Sequence, residues 1–182
     1  MTEAETGTVV ERVLVGCTGA LQMLSIGDYI AAMRSVGIRR IGVVLSPSAA
    51  AMTSPASLEA IVNEVFIELP MTRNRLVVVP ATANFLASAA TGGARNGVEL
   101  MLIAMPTPSV IVPAMNGVMW SKPAIQRNIL ALKEDGHTVL APQEREVYEA
   151  ASKDFRSGVA ASTPYEVANA VREISDATAG SW

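Results

Sequence analysis

The sequence is poor in the side chains that bind metal ions or form disulfides. Its 182 residues include one cysteine, Cys17, and one histidine, His137. A lone cysteine cannot form an internal disulfide, and one cysteine with one histidine cannot supply the ligand set of a zinc site. We therefore expect no internal disulfide and no metal centre.

Charged residues are also scarce, at 17% of the chain against a usual share of about 25%. The formal net charge is only −3, and no run of like charge could serve as a surface for nucleic acid or anionic lipid. A surface this poor in charge is typical of a protein that associates with other chains. We expect further copies of itself as partners, and neither nucleic acid nor a membrane.

Long apolar runs are absent too. No stretch reaches the roughly 18 apolar residues that span a membrane, and the first ten residues carry no basic region typical of a secretory signal. We expect a cytoplasmic protein. The length suits a single domain over residues 1–182, of which 1–10 are expected to be flexible.

Short apolar runs alternate with longer amphipathic ones. The short runs predict five buried strands, at residues 12–15, 38–45, 76–79, 110–112 and 137–140. The segments between them predict helices at 21–36, 57–65, 84–90 and 123–134. A last helix is predicted to begin after Thr163, because Pro164 and Glu166 stand in its first turn. This alternation predicts a three-layer α/β fold with a doubly wound parallel sheet.

Small and polar residues follow four of the predicted strands. These segments are Gly16-Cys17-Thr18-Gly19-Ala20, Ser46-Pro47-Ser48, Pro80-Ala81-Thr82-Ala83-Asn84 and Pro113-Ala114-Met115-Asn116. Ligands of doubly wound sheets bind beyond the carboxyl ends of the strands, where these segments would meet. Small side chains let a ligand approach the backbone, and helix N-termini bind an anion without a lysine. The pattern favours a ligand that carries a phosphate group.

Each segment taken alone also has a purely structural interpretation. Gly16 and Gly19 could merely tighten a turn, because their spacing is not that of the dinucleotide fingerprint. Ordinary helix capping could account for the polar residues Ser46, Ser48, Asn84 and Asn116. The convergence of four such segments on one edge favours a ligand site.

Two of these segments match motifs of a known family. Residues 80–84, P-A-T-A-N, and 113–120, P-A-M-N-G-V-M-W, resemble the P-A-S/T-A-N and P-x-M-N-x-x-M-W motifs of the homo-oligomeric flavin-containing cysteine decarboxylases. The similarity extends from about Val13 to Val171. The family includes phosphopantothenoylcysteine decarboxylases, peptidyl-cysteine decarboxylases of lanthipeptide pathways, and salt-tolerance proteins of plants and fungi.

The resemblance implies a flavodoxin-like subunit that assembles as trimers or dodecamers and binds FMN where subunits meet. It implies that FMN is held by Gly16, Thr18, Gly19, Ser46, Ser48, Ala81, Thr82 and Asn84. It also implies that Asn116 is catalytic, with Met115 and Met119 on the substrate side, whereas Trp120 is expected to pack. In the family's reaction FMN accepts hydride from the cysteine side chain, and the thioaldehyde so formed lets CO2 leave.

The chain departs from the family pattern at a histidine that precedes the third predicted strand. Phe66 stands at that position, or the histidine falls in a short deletion, depending on the alignment. Three interpretations follow, in order of preference: another group deprotonates the substrate thiol, the thiol ionises unaided near its pKa of about 8.5, or the protein no longer catalyses. We expect His137 to be structural and Cys17 to be a buried filler.

Residues 143–160 bear on the choice of substrate. Phosphopantothenoylcysteine decarboxylases carry a glycine-rich segment with a cysteine there, which this chain lacks. Its own segment resembles the substrate-covering flap of the peptidyl enzymes, with Tyr148, Lys153, Phe155 and Arg156 as candidate peptide contacts.

The favoured function is thus FMN-dependent oxidative decarboxylation of the C-terminal cysteine of a ribosomally synthesised precursor peptide, which yields an aminoenethiol. The alternatives are a phosphopantothenoylcysteine decarboxylase-like enzyme and a non-catalytic flavin-binding regulatory subunit. A flavin prenyltransferase is remote, because that family lacks the P-x-M-N-x-x-M-W motif.

Overall fold

The computed structural model describes residues 12–66, 75–106, 108–149 and 153–178. The expected flexibility of residues 1–10 lies outside these ranges, as does the middle of the expected flap, at 150–152. Eight strands are described: β1 Arg12–Cys17, β2 Arg40–Leu45, β3 Glu64–Phe66, β4 Arg75–Ala81, β5 Val110–Pro113, β6 Thr138–Val139, β7 Gln143–Glu149 and β8 Asp154–Ala160. The α-helices are α1 Ile26–Ser35, α2 Pro47–Ala50, α3 Pro55–Glu59, α4 Ala83–Ala89, α5 Gly97–Ala104, α6 Gly117–Trp120, α7 Pro123–Glu134 and α8 Pro164–Thr178.

Six strands form one parallel sheet in the order β3-β2-β1-β4-β5-β6. The order reverses direction at β1, so the sheet is doubly wound, as predicted. Helices α1 and α8 pack together on one face, and α4, α5 and α7 lie on the other. Strands β7 and β8 form a separate antiparallel hairpin.

The core lies on both faces of the sheet, because successive side chains of a strand point to opposite faces. Val13, Val15 and Cys17 of β1 belong to the cluster on the side of α1 and α8. Leu14, between them, belongs to the cluster on the side of α4, α5 and α7. A central strand covered on both faces therefore reads as a continuous apolar run.

Two predicted helices are wrong in extent. The helix predicted at 57–65 ends at Glu59, and Glu64–Phe66 instead forms the edge strand β3. Asn63 starts that pairing, because its backbone N–H donates to Ile41 and its side-chain Oδ1 accepts from the Ile41 N–H. The helix predicted at 21–36 is divided into a 3-10 turn, Leu21–Ser25, and α1.

The predicted start of the last helix is confirmed. The Glu166 N–H donates to Thr163 Oγ1 at 3.3 Å, and Glu166 Oε2 accepts the Thr163 N–H at 2.7 Å. This reciprocal pair of hydrogen bonds is a capping box, and Pro164 occupies the first helical position, where no N–H is needed. Within the described ranges no helix is long and apolar enough to cross a membrane.

Candidate functional site

The four segments singled out from the sequence lie side by side at the carboxyl edge of the sheet. The strand order places the ends of β2, β1, β4 and β5 next to one another. Backbone hydrogen bonds continue between them past the strands, from Ser46 to Cys17, from Thr18 to Pro80 and from Ala114 to Ala81. The edge is therefore a connected rim of loops.

Thr18 ties two of these segments together. Its hydroxyl donates to the Pro80 carbonyl at 2.7 Å and accepts the Thr82 N–H at 2.9 Å. The residue is 4% exposed. Both hydrogen-bonding functions of the hydroxyl are thus used within the protein, and the expected role of Thr18 toward FMN would be to fix the rim.

Gly19 and Ser48 make the closest approach in the rim. A Cβ atom on Gly19 would lie 2.6 Å from Ser48 Cβ, a distance that no side chain could occupy without displacing the loop. The Ser48 hydroxyl lies 3.1 Å from the Ser46 hydroxyl, and Ser46 Oγ also accepts the Ala49 N–H as the N-cap of α2. Ser46 is buried, whereas Ser48 is exposed and can reach a ligand.

Gly16 and Ala81 lie inside strands β1 and β4, rather than in the turns where the sequence placed them. Both strands are longer than predicted. A Cβ on Gly16 would lie 2.7 Å from Val98 Cγ1, so this glycine lets α5 pack closely on the sheet. Its predicted contact with FMN would be indirect, through the position of α5.

The P-A-T-A-N segment ends β4 and begins α4. Thr82 is the N-cap, because its hydroxyl accepts the Phe85 N–H at 3.3 Å. Asn84 is therefore not a cap; it lies in the first turn of α4, exposed at the rim. Its side chain is available to a ligand.

Asn116 is the N-cap of α6. Its Oδ1 accepts the Met119 N–H at 2.9 Å, which leaves the amide NH2 as a donor at the exposed rim. Met115 is half-buried and Met119 is 40% exposed, on either side of Asn116. Trp120 packs against the core, as expected.

The expected flap is the β7–β8 hairpin. The rings of Tyr148 and Phe155 meet edge to face near its tip with centroids 5.6 Å apart, and both are exposed. Lys153 lies in the connecting turn with φ of 54°, and Arg156 follows on β8. The base of the hairpin lies beside Asn116, because a Cβ on Gly117 would be 3.1 Å from Val159 Cγ2.

The hydrogen-bond donors of the rim are of a kind that can bind a phosphate-bearing coenzyme. None of the four segments contains a charged side chain. Helices α2, α4 and α6 all begin here, and first-turn N–H groups that lack helical partners carry partial positive charge. The side chains of Ser48, Asn84 and Asn116 are exposed beside these helix starts and can donate hydrogen bonds. These features fit the phosphate and ribityl chain of FMN.

Neither Cys17 nor His137 can supply a base at this rim. Burial raises the pKa of the Cys17 thiol, which therefore stays protonated. His137 precedes β6 at the opposite edge of the sheet, where its Nδ1 accepts the Ser109 N–H at 3.2 Å. Even β5, with four residues, separates the amino-end edge of the sheet from the carboxyl-end edge by about 13 Å. In the described part of the chain, no group of three His, Cys, Asp or Glu side chains could hold a metal ion.

A cavity beside Phe66 lies away from the rim segments. Phe66 is half-buried at the end of β3, and its ring lies across Gly42, whose Cβ would be 2.9 Å from it. A cavity of about 210 Å³ is lined there by Arg12, Arg40 and Glu64, at the amino ends of β1 and β2. At the rim, Ser48, Asn84 and Asn116 are exposed in the single chain.

Sequence reasoning missed the residues that hold the hairpin in place. Arg145 donates to both oxygens of Glu166 at 3.2 Å, and Gln143 donates to the same carboxylate. The sequence pattern identifies Glu166 only as part of a helix start. No local pattern links residues 21 positions apart, so the sequence held no signal for this contact.

Comparisons with known proteins agree with the fold. A family model described as Flavoprotein matches residues 1–174. Mersacidin decarboxylase of Bacillus sp. (strain HIL-Y85/54728) is 28% identical over 154 residues, which cover 78% of this chain and 79% of that protein.

Two solved structures resemble this one along almost their whole length. The FMN-dependent cysteine decarboxylase SpaF is 29% identical with a TM-score of 0.76, and the match covers 96% of this chain and 99% of SpaF. The epidermin biosynthesis protein EpiD from Staphylococcus aureus is 27% identical with a TM-score of 0.78, over 87% of this chain and 99% of EpiD.

Proposed function

Since the chain belongs to the flavoprotein family, we propose that it is an FMN-dependent decarboxylase that oxidatively removes the C-terminal carboxylate of a cysteine-terminated precursor peptide. One observation carries the proposal: the amide donor of Asn116 lies on the same rim as the helix starts suited to FMN, beside the base of an exposed hairpin. FMN, the terminal cysteine of the substrate and the preceding peptide residues would therefore bind next to one another.

The rim residues would hold FMN in two ways. Ser48 and Asn84 reach the surface and would contact the coenzyme, together with N–H groups at the starts of α2 and α4. Thr18, Thr82 and Ser46 are used in caps and cross-links, and would keep the loops in position. When bound, FMN supplies the hydride acceptor that makes loss of CO2 possible.

Asn116 would orient the substrate. Its amide NH2 can donate to the carboxylate of the terminal cysteine while its oxygen stays in the cap of α6. Met115 and Met119 would contact the cysteine side chain, and Tyr148, Lys153, Phe155 and Arg156 the preceding peptide residues. No described histidine lies at the rim, so the thiol would be deprotonated by solvent or by a group of another subunit.

The proposal includes self-association. The rim is open in one chain, and apolar side chains such as Leu24, which is 77% exposed, lie next to it along the sequence. A second copy would cover them and close the site. Light scattering on the FMN-loaded protein should give a multiple of the 19.1 kDa chain mass, three in the smallest expected assembly; a monomer would contradict this part.

Mass spectrometry of the product tests the reaction. The FMN-loaded protein is incubated in air with a peptide ending in cysteine, with the C-terminal amide and a serine-terminated peptide as controls. We expect the cysteine peptide alone to lose CO2 and two hydrogen atoms. Loss of CO2 alone would instead favour the phosphopantothenoylcysteine decarboxylase-like alternative.

A second candidate is a non-catalytic flavin-binding subunit, favoured by the position of the only histidine at the opposite edge of the sheet. Anaerobic bleaching of bound FMN by the cysteine peptide distinguishes the two. An enzyme would bleach, and a regulatory subunit would stay yellow.

A further inference from the structure

The base of the β7–β8 hairpin is held on both of its faces. Arg145 and Gly158 are cross-strand partners, and the Arg145 side chain extends to Glu166 at the start of α8. The next residue along β8, Val159, points to the other face and packs against Gly117. The hairpin is therefore fixed between the start of α8 and the turn that carries Asn116.

Glu166 is a rigid acceptor for this contact. Its carboxylate accepts the Thr163 N–H at 2.7 Å within the capping box. The segment just before is tied to α1, because the Tyr29 hydroxyl donates to the Ser162 carbonyl at 2.8 Å. The hydrogen bonds from Thr163, followed by the contact with Arg145, keep the pKa of Glu166 below its usual value. The carboxylate is thus charged at neutral pH.

Beyond its base the hairpin projects into solvent. The described side chains at residues 153–157 are exposed, as is Tyr148. Tyr148 lies three residues along β7 from Arg145, a distance of about 10 Å in an extended strand. Since the described contacts of the hairpin with the starts of α6 and α8 lie at its base, the position of its outer part relative to Asn116 depends on those contacts.

We propose that Arg145 and Glu166 are positioning residues for peptide binding, which set where the hairpin tip stands relative to Asn116. The inference rests on the proposed function. Neither residue touches the rim where the cysteine would react. Their loss should weaken binding of the peptide residues before the cysteine, equally in the ground and transition states, and leave the reacting end in place.

Peptide length gives the inference a specific signature. About three extended residues span the distance from the base of the hairpin to its tip. A peptide of two residues would not reach the tip, whereas one of six would. The variants should therefore bind the long peptide less well and the short peptide as before.

The test uses Arg145→Ala and Glu166→Gln in the FMN-loaded protein. Glutamine keeps the capping box but removes the charge. Arg172→Ala and Glu173→Gln, exposed positions of the same helix, are the matched controls. For the long peptide we expect KM to rise about fivefold with kcat within about twofold, and for the short peptide no change.

Two further measurements make the outcome decisive. Arg145→Lys should recover part of the lost affinity, because it keeps the positive charge but not the planar guanidinium group. Amide hydrogen exchange in β7 and β8 should be faster in Arg145→Ala and Glu166→Gln and unchanged in the control variants. Unchanged exchange, or faster exchange with an unaltered KM for the long peptide, would overturn the inference.

Failure of the proposed function would look different. If the unaltered protein released no product from any cysteine peptide, the proposed reaction would be wrong, and the inferred peptide binding with it. Hydrogen exchange would still show whether Arg145 and Glu166 hold the hairpin.

Discussion

The side chain of Asn116 has two polar ends with separate tasks. Its oxygen caps α6, and its NH2 group faces the rim. Aspartate and asparagine are equally good N-caps, but ionised aspartate cannot donate a hydrogen bond. Substitution can therefore separate capping from contact with the substrate.

We expect Asn116→Asp to fold normally and to lose decarboxylation by about 100-fold or more, the usual effect of removing a donor from a reacting group. Asn116→Ala should lose activity too, and about 1 kcal/mol of unfolding free energy with the cap. Product mass spectrometry and urea unfolding check the two effects. Full activity of Asn116→Asp would disprove the donor role.

Gly19 packs so closely on Ser48 that even an alanine side chain does not fit. In Gly19→Ala the new methyl group would press on Ser48 at 2.6 Å, so the first two loops of the rim must separate. We expect a loss of about 1–3 kcal/mol in unfolding free energy and poor retention of FMN, measured by flavin absorbance after gel filtration.

Gly27→Ala is the matched control. Gly27 lies in α1, and the nearest atom to its Cβ would be Ile61 Cδ1 at 3.8 Å. Alanine there should stabilise the protein by about 0.5 kcal/mol and leave FMN binding unchanged. Equal flavin loss in both variants would mean that the close approach at Gly19 is irrelevant to the coenzyme.

At the scale of elements, the sequence predicted those with a strong periodic signal. The central strands are apolar on both faces, and α8 has a capping box ahead of an amphipathic face, so both were found. Helix α5 was missed because it is apolar on almost all sides and lacks a helical period; its one carboxylate, Glu99, is buried and accepts the Ser88 hydroxyl. Strand β3 was missed as well, because its three residues are too few to show a period.

The hairpin was predicted as a flap but not as strands. Its first strand, Q-E-R-E-V-Y-E, does not alternate between apolar and polar residues, because neither face enters the core. The location of the site was predictable for a different reason: the topology of a parallel sheet brings the strand ends together. What could not be predicted is which polar groups hold the loops and which remain free, as Thr18 shows.

The hydroxyl of Thr18 joins the ends of β1 and β4, which lie more than 60 residues apart in the sequence. Thr18→Val would leave the Thr82 N–H without its acceptor in a tightly packed place. We expect a loss of about 1–3 kcal/mol in unfolding free energy and weaker FMN retention. Thr18→Ser, which keeps the hydroxyl, should lose much less of both; a larger loss in Thr18→Ser than in Thr18→Val would assign the role to the methyl group.

At the scale of the whole molecule, His137 makes stability depend on pH. Burial lowers its pKa, an effect that Asp135 partly offsets. The unfolded chain therefore binds more protons than the folded one between the ordinary pKa of about 6.5 and the lower native value, and stability falls as the pH drops through that interval.

We expect His137→Asn to reduce this dependence, since the asparagine oxygen can accept the Ser109 N–H at every pH. Urea unfolding between pH 7.5 and 5.5 should show a smaller loss of stability in the variant than in the unaltered protein. The opposite order would mean that protonated His137 is favoured in the folded state.

The absence of charged side chains from the four rim segments has a consequence for how the molecule keeps its coenzyme. Helix termini, hydroxyls and amides do not titrate at physiological pH, and short-range contacts with them release few counterions. At a fixed pH, dissociation of FMN should accordingly change little with added potassium chloride, in contrast to a site built from lysines and arginines. Equilibrium dialysis at several potassium chloride concentrations would measure the dissociation constant of FMN and show whether it stays constant.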